Sequence, residues 1–198
     1  MKRQGGFSVL ELAIGVAIVS VLAMTAMPSF SVWIQNSQTR AAAESIQDGL
    51  QTARNEAVRR NSNVRFSLTD PNGLAAWTVG CAVVRPDCPA TIQARSGAEA
   101  GSNARVGVST DVAPSPLPVG YYSTPLASGS GLESGAGVTF NGLGAVPAEN
   151  SGDDIMRIDV VNSGAGSRRF VVVVGSGGTI RMCDPGVSLD SNPQACSR

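Results

Sequence analysis

The chain has 198 residues, and its 15 lysines and arginines balance 15 aspartates and glutamates, so attraction of the whole molecule to nucleic acid is not expected. The absence of histidine excludes Ser-His-Asp and Cys-His catalysis, histidine-ligated metals and a histidine pH switch. The 23 glycines and 11 prolines predict many turns and a helix content confined to one part of the chain.

The first thirty residues predict a short polar leader followed by an apolar helix. Residues 1–6 are polar and carry two cations, whereas residues 7–30 contain a single charge, Glu11. A helix over 7–30 would measure about 36 Å, enough to cross a bilayer core of about 30 Å. A secretory signal places small residues after its apolar run, but here they precede it. We therefore expect cleavage after Gly6, with the leader in the cytoplasm and the apolar helix retained in the mature chain.

Glu11 is the anomalous residue of this apolar stretch. A carboxylate within a membrane span costs about 2.5–3.5 kcal/mol on insertion scales, and such residues are rare unless they are paired. After the predicted cleavage, the amino group of Phe7 is a cation one helical turn from Glu11. The same amine on a neighbouring chain would neutralise Glu11 when subunits dock. The alternative is a plain signal anchor whose Glu11 reaches up to the membrane surface.

The segment Gly6-Phe7-Ser8-Val9-Leu10-Glu11 resembles the prepilin processing site of type IV pilins and type II secretion pseudopilins. The resemblance implies that a membrane prepilin peptidase cleaves after Gly6 and methylates Phe7, and that Glu11 guides assembly. It also implies partners: other minor and major pilins and the inner-membrane assembly platform. Pro28 matches a proline at which the pilin helix bends or melts. Because proline lacks an N–H group, a kink or local unwinding is expected at that position.

Residues 31–61 predict an amphipathic continuation of the same helix. An apolar stripe at helical spacing is formed by Ile46, Leu50, Ala53 and Ala57. On the polar face, Glu56 and Arg60 are four residues apart and are expected to form an ion pair. The simplest structure is one long helix, with its first half in the membrane and its second half packed on a head domain.

Beyond residue 61 the pattern becomes that of strands and turns, so residues 62–198 predict a β-rich periplasmic head. Strands are predicted at 64–68, 74–84, 91–94, 105–109, 119–123, 138–141, 155–161, 168–174 and 178–182. The run 170–174 is apolar on both faces and should be central. Segments 96–104 and 127–137 are predicted to be mobile loops. The expected fold class is α+β, type IV pilin-like, with the long helix laid across an antiparallel sheet.

The four cysteines predict two disulfides. Four cysteines allow three connectivities, and proximity in sequence favours Cys81 with Cys88 and Cys183 with Cys196. None of the cysteines forms a Cys-x-x-Cys pair typical of zinc or redox sites. Disulfides imply an oxidising compartment such as the periplasm.

Residues 28–30, 43–54 and 56–61 resemble the GspH/FimT group of minor pilins and pseudopilins, and residues 178–185 resemble the last conserved stretch of that group. The resemblance implies a minor pilin that helps to initiate a type IV pilus and sits near its tip. It also implies a single-pass inner-membrane protein with a periplasmic head, which then enters the fibre at the cell surface. The alternative within the same group is an H-type pseudopilin of a type II secretion system.

A third hypothesis is a DNA-binding minor pilin that captures DNA for uptake. Some members of the group bind DNA through a C-terminal Gly-Arg-x-Arg motif, and the corresponding segment here is Gly178-Thr179-Ile180-Arg181. Arg181 matches the second arginine, but threonine stands at the first. Arg168 and Arg169 would add positive charge, although Asp184 and other acids oppose it. A solvated basic face is the commoner explanation of such arginines.

The sequence does not predict an enzyme. Asp153 and Asp154 form a carboxylate pair, but adjacent side chains on a loop or strand edge diverge from one another. Without a histidine, a glycine-rich phosphate loop or metal-ligand spacing, no catalytic set, cofactor or metal site is expected. Calcium held by these two aspartates and Asp159 is conceivable but lacks the spacing of an EF-hand.

Overall fold

A single helix of 52 residues, α1 (Val9–Arg60), organises the structure. The computed structural model describes residues 8–133, 135–162, 164, 167–190 and 192–196. The predicted leader and its cleavage site, with Gly6 and Phe7, lie outside these residues. The helical backbone of α1 continues through position 28, where the sequence predicts a kink or local unwinding. No local unwinding is therefore seen at that position.

Both ends of α1 are capped by polar residues. At the start, the amide of Leu10 donates to Ser8 Oγ at 3.3 Å, which satisfies one of the free N–H groups of the first turn. At the end, Asn61 adopts the left-handed conformation, with φ of 46°. Asparagine tolerates this conformation better than most residues, so the helix stops and the chain turns into the first strand.

The head contains two antiparallel four-stranded sheets, whereas the sequence predicts a single sheet. Among the described residues, the strands are β1 (Val64–Leu68), β2 (Trp77–Cys81), β3 (Gln93–Arg95), β4 (Ala104–Ser109), β5 (Gly137–Phe140), β6 (Arg157–Asn162), β7 (Phe170–Val174) and β8 (Ile180–Cys183). Sheet I has the order β3-β2-β1-β5, and sheet II has the order β4-β6-β7-β8. Since α1 contacts strands of both sheets, the α+β class and the helix-on-sheet architecture are confirmed.

Two of the predicted elements are wrong. Residues 119–123 form a turn and not a strand. Within this turn, Tyr122 is buried against the outer face of sheet II with Tyr121 partly buried beside it, whereas Val119 is exposed. Within the predicted loop 96–104, a short helix, α2 (Gly97–Gly101), forms behind a capping box in which Glu99 accepts hydrogen bonds from the amide and hydroxyl of Ser96.

The predicted loop 127–137 is attached to the edge of sheet II. The amide of Val108 in β4 donates to the carbonyl of Ser130 at 2.9 Å, and the amide of Gly129 donates to the carbonyl of Val106 at 2.8 Å. These bonds satisfy the outer edge of β4, which would otherwise present unpaired backbone groups. Strand β5 begins at Gly137, so this segment connects the two sheets.

The core lies between α1 and the two sheets. The predicted stripe is confirmed, because Ile46, Leu50, Ala53 and Ala57 are all fully buried. On sheet I, the ring of Trp77 packs against Phe66, and its indole Nε1 donates to Ser45 Oγ in α1 at 3.0 Å. This buried hydrogen bond satisfies the polar atom of the tryptophan and links the helix to β2.

Sheet II is covered on both faces. In β7, Phe170, Val172 and Val174 point into the main core, while Val171 and Val173 face the other way. A second apolar cluster forms on that outer face around Tyr122 and the cysteines of the C-terminal disulfide. The two clusters explain why the whole of β7 is apolar, as a central strand buried on both faces should be.

Gly49 shows how closely α1 approaches sheet I. A Cβ atom at this position would lie 2.8 Å from Cε2 of Phe66 and 3.0 Å from the ring of Trp77. We therefore expect Gly49→Ala to lower the free energy of unfolding by about 1–3 kcal/mol through overpacking, which outweighs the gain of about 1 kcal/mol in helix propensity. Thermal unfolding followed by circular dichroism tests this. Gln51→Ala, on the exposed face of α1, is the control, and equal melting of both variants would contradict the expectation.

Candidate assembly surface and the charged clusters of the head

The N-terminal half of α1 exposes a long apolar surface. We call residues 9–34 the shaft, because polar contacts with the head begin just beyond it. There the backbone amide of Arg168 donates to Asn36 Oδ1 at 2.6 Å, and Asn103 Nδ2 donates to Gln38 Oε1 at 3.4 Å. Large apolar side chains of the shaft that are exposed include Val9, Leu10, Leu12, Ile14, Val16, Ile18, Val19, Val21, Leu22 and Met24. Contiguous apolar surface of this extent marks an interaction surface.

No helix in the described part of the chain is both long and apolar enough to qualify as a membrane span.

Glu11 lies in the first turn of α1, where the helix dipole favours a negative charge. Its side chain is exposed, and no ion-pair partner for it lies among the described residues. Together with the next two turns of the helix it lines a shallow groove of about 460 Å³, formed by Glu11, Leu12, Gly15, Val16, Val19 and Ser20. Glu11 is the only charged residue that lines this groove. The other polar side chain, that of Ser20, donates its hydroxyl to the carbonyl of Val16 at 2.7 Å.

An aromatic pair marks the end of the shaft nearest to the head. The rings of Phe30 and Trp33 stack with their centroids 5.9 Å apart, and the two residues are 61% and 64% exposed. The sequence offers a signal for this pair only in its spacing, because residues three apart on a helix are neighbours. Exposed aromatic residues beside an apolar surface are typical of contact sites.

The arginines considered for DNA binding lie in two separate places. Arg168 and Arg169 line a cleft of about 380 Å³, whereas Arg181 is exposed on β8 and lines another cleft, of about 200 Å³, beside Tyr122. Arg168 Nε is 3.8 Å from a carboxylate oxygen of Asp184. The guanidinium of Arg169 forms an ion pair with Asp159. Two of the three candidates therefore face an acid, which reduces the positive charge that they present.

Asp159 is the centre of a buried ionic network on the outer face of sheet II. Its carboxylate is fully buried and accepts hydrogen bonds from Arg157 Nε at 2.7 Å and Nη2 at 2.9 Å, and one more from Arg169 Nη1. The amide of Leu126 donates to the same carboxylate at 3.0 Å. The guanidinium of Arg157 also lies over the ring of Tyr122, 5.1 Å from its centroid. The network thus fixes residues 122–126 against β6 and β7. Burial of Tyr122 in this region raises the pKa of its hydroxyl.

Asp154 has a similar structural role between the sheets. It is buried and accepts hydrogen bonds from Arg65 Nη1 at 2.7 Å, from the amide of Thr139 at 2.8 Å and from Asn150 Nδ2 at 3.0 Å. Its neighbour Asp153 is exposed, so the two carboxylates do not face one site. Among the described residues there is no group of three or more Asp, Glu, Cys or His side chains placed to hold a metal ion.

The end of α1 carries a surface ion-pair cluster that includes the predicted pair. Glu56 accepts hydrogen bonds from Arg59 and from Arg60, each at 2.7 Å, which confirms the predicted contact with Arg60. The hydrogen bond from Arg59, together with that from Arg60, holds the pKa of Glu56 below its usual value. The same contact raises the pKa of Arg59. These arginines therefore pair within their own helix.

Both predicted disulfides are present. Cys81–Cys88 closes the loop that follows β2, and Cys183–Cys196 ties the C-terminal segment to β8. Each bridge restricts the unfolded chain, which stabilises the fold by about 2–3 kcal/mol for loops of this length. The second bridge lies beside Tyr122 in the outer apolar cluster, so it also helps to hold the turn 119–123 on sheet II.

Gly178, the first residue of the motif considered for DNA binding, occupies the tight turn between β7 and β8. Its φ is 76°, and its amide donates to the carbonyl of Gly175 at 2.8 Å. The carbonyl of Gly144 lies directly against its Cα and itself accepts a hydrogen bond from Arg54 Nε at 3.0 Å. This turn therefore meets the loop after β5 at the surface of α1, and the positive φ and the close packing together explain the need for glycine without a contact to DNA.

Comparison with known proteins gives one family match. A family model described as type II transport protein GspH matches residues 42–178. Two crystal structures of the type IV minor pilin FimU from Pseudomonas aeruginosa are similar at 16% sequence identity. One has a TM-score of 0.44 and covers 79% of this chain and 98% of that chain, and the other has a TM-score of 0.46 and covers 83% and 98%. No curated protein sequence is significantly similar to the chain.

Proposed function

The chain belongs to the GspH family of minor pilins and pseudopilins, and on this premise we propose that it is incorporated into a type IV pilus, near the tip, where it helps to initiate assembly. The observation that carries the proposal is the exposed shaft. A helix whose second half is buried in the head while its first half is exposed and apolar requires a partner for the first half. The helices of neighbouring pilins in a fibre provide such a partner.

Before assembly, the shaft requires another apolar environment, and we place it in the inner membrane with the head in the periplasm. Full burial of one large apolar side chain contributes about 1.5–3 kcal/mol relative to exposure, so ten such side chains favour either environment strongly. The two disulfides support an oxidising compartment for the head. Cleavage after Gly6 and methylation of Phe7 by the prepilin peptidase, followed by transfer through the assembly platform, belong to the same proposal.

Glu11 is the residue that makes docking specific. An unpaired carboxylate in an apolar environment costs about 2.5–3.5 kcal/mol, and the shaft itself offers no cation among its described residues. The free amino group on the first residue of a neighbouring mature subunit is the complementary charge. Assembly would then relieve the cost of burying Glu11, whereas a misplaced subunit would not.

Replacement of Glu11 by alanine is expected to reduce the number of pili per cell, and the incorporation of the subunit, at least about tenfold, because the charge pairing that directs docking is lost. Electron microscopy counts the pili, and immunoblots compare sheared pili with membranes. Glu44→Ala is the control, since among the described residues Glu44 forms only an exposed pair with Arg40, and it should leave both quantities unchanged. Normal piliation and incorporation of the Glu11→Ala subunit would refute the assembly role.

The matching family description favours a second candidate, the H-type pseudopilin of a type II secretion system. It would use the same shaft and the same docking of Glu11. Deletion of the gene separates the two functions, because loss of pili with normal protein secretion supports the pilus and the reverse result supports the secretion system. The geometry gives less support to DNA capture, because Arg168 and Arg169 each face an acid.

A further inference from the structure

Gly15 packs against no other residue in the described part of its own chain. A Cβ atom at this position would meet nothing within 4 Å. Glycine inside a helix costs about 0.8–1.0 kcal/mol relative to alanine, so the shaft is weakened there with no intramolecular compensation. Gly49 provides the contrast within the same helix, because Phe66 and Trp77 of the head occupy the space left by its missing side chain.

The position of Gly15 relates it to Glu11. The two residues are four apart, so they lie on the same face of α1, and both line the 460 Å³ groove of the shaft. Leu12 and Val16 form its apolar walls. The missing side chain of Gly15 leaves a notch in the floor of the groove, one turn beyond the carboxylate. In apolar surroundings, small residues of this kind allow the backbones of two helices to approach closely.

The chemistry of the groove restricts what can occupy it. Its walls are apolar, which requires an apolar occupant, and the exposed carboxylate at one end requires a positive charge. The first helical turn of a mature pilin-like subunit combines the two, because it carries a free ammonium group on an apolar helix. A lipid chain provides only the apolar part, and it adapts to any shape of the groove.

We propose that the notch at Gly15 is the seat for the first helical turn of a neighbouring pilin-like subunit, and that it sets the depth at which the ammonium group of that subunit reaches Glu11. This inference rests on the proposed function. Gly15 is a positioning residue, since it acts through the distance between Glu11 and its partner. A larger side chain there would hold the neighbouring helix away and leave the carboxylate unpaired.

The test is a series of side chains of increasing size at Gly15, with a matched series on the opposite face of the shaft. Gly15→Ala, Gly15→Val and Gly15→Leu are compared with Ala17→Val and Ala17→Leu. Ala17 is exposed in the same stretch and lies about 200° around the helix from Gly15. Each epitope-tagged variant is expressed beside the wild-type copy, and its share of sheared pili is measured.

Incorporation is expected to fall in a graded manner with size at position 15, by at least about tenfold for leucine, and to change less than about twofold at position 17. In detergent, Gly15→Ala should melt at the same temperature as wild type or higher, because its new methyl group meets nothing in the subunit. A lower melting temperature would assign Gly15 an intramolecular role and overturn the inference.

A second measurement distinguishes positioning from general packing. Glu11→Gln keeps the size of the side chain and removes its charge. If Gly15 acts by placing the ammonium group at Glu11, then adding Gly15→Leu to Glu11→Gln should reduce incorporation little further, whereas independent effects would multiply.

The other outcomes are equally decisive. Normal incorporation of Gly15→Leu would show that lipid or open space covers the notch, and equal losses at positions 15 and 17 would show that the whole shaft is packed without a special seat. Either result would overturn the inference and leave the proposed function intact, provided that Glu11→Ala still blocks assembly. Within this experiment, normal assembly of Glu11→Ala is the result that would remove the proposed function itself.

Discussion

Replacement of Asp159 by asparagine is expected to lower the free energy of unfolding by about 3–5 kcal/mol, as is typical when one partner of a buried ion pair is removed. The carboxylate is fully buried and neutralises Arg157 and Arg169, whose side chains are only 11% and 14% exposed. Asparagine keeps the shape and one acceptor oxygen, but it leaves two guanidinium groups poorly solvated. The segment 122–126 should detach together with the network, because Arg157 and Asp159 both bind its backbone.

Urea unfolding, followed by circular dichroism, measures this loss. Asp153→Asn is the matched control, because Asp153 is an exposed aspartate near the same strand, and it should change stability by less than about 0.5 kcal/mol. The double variant Asp159→Asn with Arg169→Met removes one of the two arginines that would lack an ion-pair partner, and it should recover part of the stability. Equal stability of Asp159→Asn and wild type would show that the network does not stabilise the head.

Replacement of Gly178 by alanine is expected to destabilise the head by about 2–5 kcal/mol. A left-handed conformation costs a residue with a side chain about 1–2 kcal/mol, and overpacking adds about 1–3 kcal/mol. Both apply here, since φ is 76° and the new Cβ atom would lie 1.8 Å from the carbonyl oxygen of Gly144. The turn between β7 and β8 would have to move away from α1, where Arg54 now holds that carbonyl.

Gly177→Ala is the matched control for this substitution. A Cβ atom on Gly177 meets nothing within 4 Å, and its backbone has no positive φ. The melting temperatures of the two variants should therefore differ by several degrees, with Gly177→Ala close to wild type. Similar melting of the two variants would contradict the expectation. A change in DNA binding on substitution of Gly178 would consequently report altered folding and not a lost contact.

The sequence predicted those features that depend on local spacing. The stripe from Ile46 to Ala57 follows the helical period, and each of its members lies in the core. Cysteines close in sequence are joined, because a short loop closes at little entropic cost. The position of β7 was predicted correctly, because a run of five apolar residues in a small head is best buried as a central strand.

The features that the sequence could not predict depend on distant residues. Asp154 meets Arg65, which is 89 positions away, and no local pattern indicates that contact. The division into two sheets depends on which strands pair at their edges. The alternation of apolar and polar residues within a strand does not indicate its pairing partner. Tyr121 and Tyr122 suggested a strand because aromatic residues favour strands, but tertiary packing on sheet II overrode this preference. The helix α2, by contrast, had a visible signal in Ser96 and Glu99, the spacing of a capping box.

The continuous helix α1 has a mechanical consequence. It runs from the apolar shaft into the middle of the head, where it packs lengthwise against strands of both sheets. In the fibre proposed above, tension would enter each head through this helix and act parallel to its axis. Contacts loaded in that direction resist together and do not peel apart one after another. In the proposed fibre, the two sheets would therefore share the load on α1, and the head would resist extraction of its helix as one unit.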